Sequence, residues 1–188
     1  VQQWAQTEYT EDSRYNQDIT FFNGTWSTMY ASVLKELDAA KVLVEGQDLS
    51  AAIINNKKNI INVMNTQVYA FLTDGFEKVP YTEAIGTVSL PSYDSQEVIY
   101  KGILATLEEA VSTFNTSSPS FTSGDIIYNG NVANWVKLTN SLMLRYAMRI
   151  VDVDPVTAEK YIKLAAPNLI SSNSENALFT FESSLVRS

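Results

Sequence analysis

Four long segments of this chain repeat their apolar residues at steps of three and four, a period that restricts them to amphipathic α-helices. The first runs from Trp26 to Val44 through Met29, Tyr30, Val33, Leu34, Leu37 and Ala40, with Lys35, Glu36, Asp38 and Lys41 mostly off the stripe. Gly46 follows, where a left-handed residue without a Cβ ends a helix at little cost, and Asp48 or Ser50 can cap the next. That second helix is predicted over Leu49 to Leu72, buried through Ile53, Ile54, Ile60, Ile61, Met64, Val68 and Phe71, with Gly75 as its stop. A third is expected from a cap at Asp94 or Ser95 to near Asn115, with Ile99, Ile103, Leu104, Leu107, Ala110, Val111 and Phe114 inward. The fourth, Val132 to Val151, is apolar around most of its circumference, which suits a helix surrounded by others. Its polar residues Lys137, Ser141, Arg145 and Arg149 fall four apart and form one narrow stripe.

Asp154 followed by Pro155 predicts an N-cap and first turn for a fifth helix reaching roughly Ile170. Ala177 to Phe181 then alternates like a short strand. Gly75 to Pro91 gathers proline and glycine and is expected to be an ordered loop, whereas Thr116 to Gly124 is small and polar and is expected to be a mobile connection, or a strand-like edge at most. The fold class is therefore all-α, a helical array with long loops. No tetratricopeptide period of about 34 residues recurs, so a degenerate repeat and an irregular bundle both remain open.

With 45% apolar and 18% charged residues, a chain of 188 residues can bury one full core, and a single domain over 1–188 is expected. There is no cysteine and no histidine. That removes thiolate and imidazole metal sites, cysteine nucleophiles, Ser-His-Asp triads and imidazole bases together. The formal charge is -8 with lysine and arginine scattered singly, so nucleic acid is not an expected partner and polyanionic ligands are disfavoured. No stretch has the roughly 18 consecutive apolar residues of a membrane span.

Four segments taken together resemble the SusD-like (RagB/SusD) family, type 2 branch. They are Trp4 to Tyr15 (WAQTEYTEDSRY), Trp26 to Asp38, Val79-Pro-Tyr-Thr-Glu-Ala84 ahead of Leu90-Pro-Ser-Tyr-Asp-Ser-Gln-Glu97, and Asn134 to Arg149 (NWVKLTNSLMLRYAMR). The last is the most specific. The resemblance implies a tetratricopeptide-like scaffold lipid-anchored at the outer-membrane cell surface, non-catalytic and without a cofactor. It implies a TonB-dependent transporter as partner and an oligosaccharide or other nutrient as ligand. Family members are longer, so the chain is expected to be the N-terminal part of such a protein, with the lipid anchor outside it.

Sugar rings offer C–H faces that stack on aromatics and hydroxyls that bond to carboxylates, amides and guanidinium groups. Trp4, Tyr9, Asp12, Arg14, Tyr15 and Asn16 supply that mixture and are the expected ligand-binding residues, although the same aromatics could instead anchor the segment to the helices. Trp26 and Tyr30, on a helical stripe, are expected in the core. Trp135, Asn140, Arg145 and Arg149 are expected to pin the loop around Tyr81. Asp152 and Asp154 lack the further oxygens of a calcium site. Alternatives to glycan capture are a scaffold or lid whose only ligand is the transporter, binding of peptide or another nutrient, and hydrolysis by a carboxylate pair.

Overall fold

The computed structural model describes residues 19–86 and 88–179. The described chain is helical: α1 (Ile19–Ser27), a π-helical stretch (Thr28–Leu34), α2 (Lys35–Glu45), α3 (Ala51–Phe76), α4 (Gln96–Thr113), α5 (Val132–Arg149) and α6 (Pro155–Ala165). α1, the π stretch and α2 form one continuous rod, since Ser27 and Lys35 on either side of the stretch keep right-handed helical backbone. The rod begins at Ile19, earlier than the apolar period from Trp26 implied.

Successive helices pack on one another in chain order. Hydrogen bonds and ion pairs set their directions. Glu45 at the end of α2 meets Lys58 near the start of α3, and Asn59 of α3 bonds Thr113 at the end of α4, while Gln96 at the start of α4 bonds Thr73 O near the end of α3. Tyr100 of α4 meets Tyr146 of α5, and Lys160 of α6 pairs with Glu108 of α4. Neighbours are thus antiparallel, and α4 and α6 run the same way. The core lies between α3, α4, α5 and α6, where Leu72, Ile99, Ile103, Leu104, Leu107, Trp135, Met143, Ala147 and Ala158 are buried. An all-α array is the observed fold, with α5 against both α4 and α6 as its apolar circumference required.

Termini are set by local chemistry. The Ser95 hydroxyl accepts from Val98 N, the Asn131 amide oxygen from Asn134 N and the Asp154 carboxylate from Thr157 N, each capping the helix it precedes. α3 does not stop at Gly75. It continues to Phe76 and ends at Glu77, whose φ of 65° breaks the spiral; the Thr73 hydroxyl donates to Glu77 O and Thr73 O accepts from Glu77 N. α6 ends at Ala165 in a 3₁₀ turn, Ala166–Asn168, because Pro167 has no N–H to continue the ladder. Ala177 to Phe179 is irregular rather than a strand, and the rest of that predicted strand lies outside the described residues.

Two further expectations are corrected. The segment from Asn115 to Gly124 is held, not loose: buried Asn56 donates to the carbonyls of Asn115, Ser118 and Pro119 at 2.9, 3.0 and 3.1 Å and accepts from Asn115 N at 2.8 Å. Small polar residues cannot build an apolar core, but their backbone groups can be satisfied by one buried amide. Nor do the α5 residues pin the loop around Tyr81. Trp135 donates to Asp125, Asn140 to Val136 O in its own helix, Arg149 pairs with Asp74 at the end of α3, and Arg145 is exposed. The polar stripe of α5 instead grips the segment after α6: Lys137 pairs with Glu175 and Ser141 Oγ accepts from Ile170 N.

Candidate functional site

The loop between α3 and α4 builds one wall of a cleft. Asp94 shapes the loop: its carboxylate accepts from Tyr81 N (3.1 Å), Thr82 N (2.8 Å) and the Thr82 hydroxyl, while its own N–H reaches Val79 O. Those hydrogen bonds hold the Asp94 carboxyl below its ordinary range, the bond from Thr82 N first. Tyr81 is packed beneath, edge-on to Tyr69 and so close to Gly102 that a Cβ there would fall 2.5 Å from its ring. The Tyr30 hydroxyl donates to Pro80 O at 2.7 Å and ties the loop to the rod. Burial is the main reason its phenol titrates well above the ordinary range.

Between the rod and this loop lies a cleft of about 360 Å³, lined by Trp26 and Tyr30 of the rod and by Pro80, Ala84, Ile85, Leu90, Pro91 and Tyr93 of the loop. Trp26 is half-buried. Its ring meets Tyr30 at 4.8 Å, sits edge-to-face on Phe76 at 5.2 Å and lies within 17° of parallel to Tyr93 at 6.0 Å. Tyr93 is 61% exposed and Leu90 88% exposed, so this apolar surface is open to solvent. Among the described residues the lining contains no carboxylate or basic side chain. It can stack on a flat C–H face and offer phenolic oxygens at its edge.

A larger polar cleft of about 480 Å³ lies between the start of α4 and the α5–α6 turn. Its charges are paired with one another: Arg149 with Asp74 at 2.7 Å, and Lys101 with Glu97 at 2.7 Å and Asp154 at 3.6 Å. On α4, Glu108 pairs with Lys160.

The predicted ligand residues Trp4, Tyr9, Asp12, Arg14, Tyr15 and Asn16 lie outside the described residues. Trp26 and Tyr30 do pack against the core as expected, yet both also line the cleft, which the stripe pattern could not reveal because half-buried and buried positions obey the same period. Leu90 and Tyr93 were missed as site residues. An exposed aromatic beside a proline, in a loop expected to be ordered, was the available signal.

Among the described residues the chain is a helical array whose α3–α4 loop and first helical rod frame an aromatic cleft. The chain belongs to the SusD-like family: the type 2 family model, described as starch-binding and associating with the outer membrane, matches residues 1–187. Solved structures agree. A chitin-binding protein is 34% identical, with a TM-score of 0.77 over 93% of this chain and 37% of that one. A SusD homologue from Bacteroides uniformis is 29% identical, TM-score 0.69, over 82% and 31%. A chitin-binding SusD homologue from Flavobacterium johnsoniae is 25% identical, TM-score 0.63, over 74% and 29%. The chain therefore spans about a third of the length of these relatives. Comparison with curated proteins gives no match. Among the described residues no helix is long and apolar enough to cross a membrane.

Proposed function

We propose that the chain is a non-catalytic, cell-surface glycan-binding module that works with a TonB-dependent outer-membrane transporter and is held at the membrane by a lipid anchor outside this chain. The observation that carries the reading is the open cleft of Trp26, Tyr30 and Tyr93, an aromatic surface of the kind that stacks on sugar rings. The family description and the two relatives described as chitin-binding support a carbohydrate ligand. Among the described residues the cleft lining holds no carboxylate pair of the kind glycosidic hydrolysis needs, which supports binding without turnover.

Trp4, Tyr9, Asp12, Arg14, Tyr15 and Asn16 are proposed to add polar and aromatic contacts to the same ligand. Ile19 lies about 10 Å from Trp26 along the helix axis, and the chain ahead of it is long enough to return over that distance. A second reading, a scaffold whose only ligand is the transporter, is favoured by two exposed valines, Val153 in the α5–α6 turn and Val156 in the first turn of α6, 83% and 80% exposed.

The test is an oligosaccharide-affinity screen of the full-length protein beside a Trp26→Ala/Tyr93→Ala variant and a Trp4→Ala/Tyr15→Ala variant. Saturable binding weakened about tenfold or more by the cleft variant is expected, in line with two lost stacking contacts of about 0.5–1.5 kcal/mol each. A folded protein that binds the transporter but no glycan would replace this reading with the scaffold.

A further inference from the structure

On α3 asparagine recurs at every third residue, at Asn56, Asn59, Asn62 and Asn65. The first two amides are engaged inside the protein. Asn56 holds the backbone of Asn115, Ser118 and Pro119, and Asn59 donates to the Thr113 hydroxyl at 2.9 Å. Asn62 and Asn65 are half-buried, yet among the described residues neither amide makes a hydrogen bond. Asparagine is also a poorer helix former than alanine, so at these two positions the described helix gains nothing from it.

Both amides open into one pocket of about 290 Å³, completed by Thr66 and Tyr69 of α3, Thr106 of α4, and Tyr81 and Thr82 of the α3–α4 loop. Every one of these side chains carries an amide or a hydroxyl. The pocket shares no lining residue with the aromatic cleft, although Pro80 of the cleft and Tyr81 of the pocket are chain neighbours, so one loop serves both. Resting on the glycan-binding reading, we infer that this pocket is a second sugar subsite, separate from the aromatic cleft, in which Asn62 and Asn65 bind the hydroxyls of one ring.

The chemistry of the lining fits that ligand. A side-chain amide offers two donors and an acceptor, and a sugar hydroxyl both donates and accepts, so two amides three residues apart on a helix can take neighbouring hydroxyls. The Thr66 hydroxyl donates to Val63 O at 2.7 Å and that of Thr82 to Asp94, which leaves both oxygens as acceptors. Tyr69 stands edge-on to Tyr81, and burial above all holds its phenol well above the ordinary range, so it keeps its proton and can donate. The volume lies at the small end of ligand sites and suits a single ring rather than a length of chain.

The experiment is titration calorimetry of the full-length protein with chito- and malto-oligosaccharides. Wild type is compared with Trp26→Ala/Tyr93→Ala, with Asn62→Ala/Asn65→Ala, and with all four substitutions combined. For a series that binds wild type, the cleft variant is expected to retain a weaker binding event, and the combined variant to weaken that event about tenfold or more. The melting midpoint of Asn62→Ala/Asn65→Ala is expected to be unchanged or raised, since alanine favours helix. A lowered midpoint would mean that the rest of the full-length protein bonds these amides, and would overturn the inference. So would loss of all binding in the cleft variant, or equal binding by the cleft and combined variants, and in both cases glycan binding by wild type would stand. Failure of both series to bind wild type would overturn the glycan reading itself and the inference with it.

Discussion

Replacing Asn56 by alanine tests whether one amide holds the whole α4–α5 connection. Asn56 is fully buried, its two amide hydrogens are shared among three carbonyls, and its oxygen accepts from Asn115 N. Counting two donated bonds and one accepted bond at about 1 kcal/mol each gives a loss of about 3 kcal/mol, rising toward about 5 if the orphaned groups cannot reach water. For a chain of this size that is a drop in melting temperature of roughly 6–12 °C. Urea unfolding measures the free energy, and amide exchange at residues 115–121 locates it. Asn56→Asp sharpens the test, because it keeps the acceptor for Asn115 N but turns the donor toward three carbonyl oxygens into a carboxyl. Burial and those dipoles disfavour the carboxylate, so the folded acid titrates above its unfolded value of about 3.9. Its stability is therefore greatest below that pH and falls as pH rises through the folded value, the reverse of an ordinary aspartate. A loss below about 1 kcal/mol in Asn56→Ala, with exchange at 115–121 unchanged, would refute the account.

Gly102→Ala gains helix propensity of about 1 kcal/mol, yet its Cβ would fall 2.5 Å from the Tyr81 ring, so net destabilisation of about 1–3 kcal/mol is expected in thermal melts. The penalty should shrink when Tyr81→Leu is added, and strict additivity of the pair would argue against a ring clash. Glu175 is held at about 2, first by its bond from Lys137 and next by that from Ser171 N. A depressed carboxyl stabilises above its unfolded value, ordinarily about 4.3, and that contribution disappears as pH falls toward 2, so Glu175→Gln should flatten the melting temperature between about pH 5 and pH 2. An unchanged acid limb in Glu175→Gln would mean that the Lys137 contact is not formed in solution.

Periodicity alone determined that this chain folds as helices, roughly where four of them lie, and that α5 sits among its neighbours. Residues three and four apart share a face whatever that face meets. Local chemistry was equally legible at Asp154-Pro155, since a cap and a first turn involve only adjacent groups. Contacts between distant parts of the chain were not legible. Gly75 looked like a stop, but Thr73 reaching forward to both backbone groups of Glu77 carries α3 past it. The polar run after Asn115 looked loose until an amide from α3, far away in sequence, was brought against its carbonyls. Trp26 and Tyr30 could be placed on a stripe, but whether a stripe meets core or open cleft depends on a loop some 50 residues later, tied to Tyr30 through Pro80. A chain specifies its own local hydrogen bonds and its apolar period. The partners of a buried amide, and the solvent left over an aromatic ring, exist only once helices distant in sequence have packed.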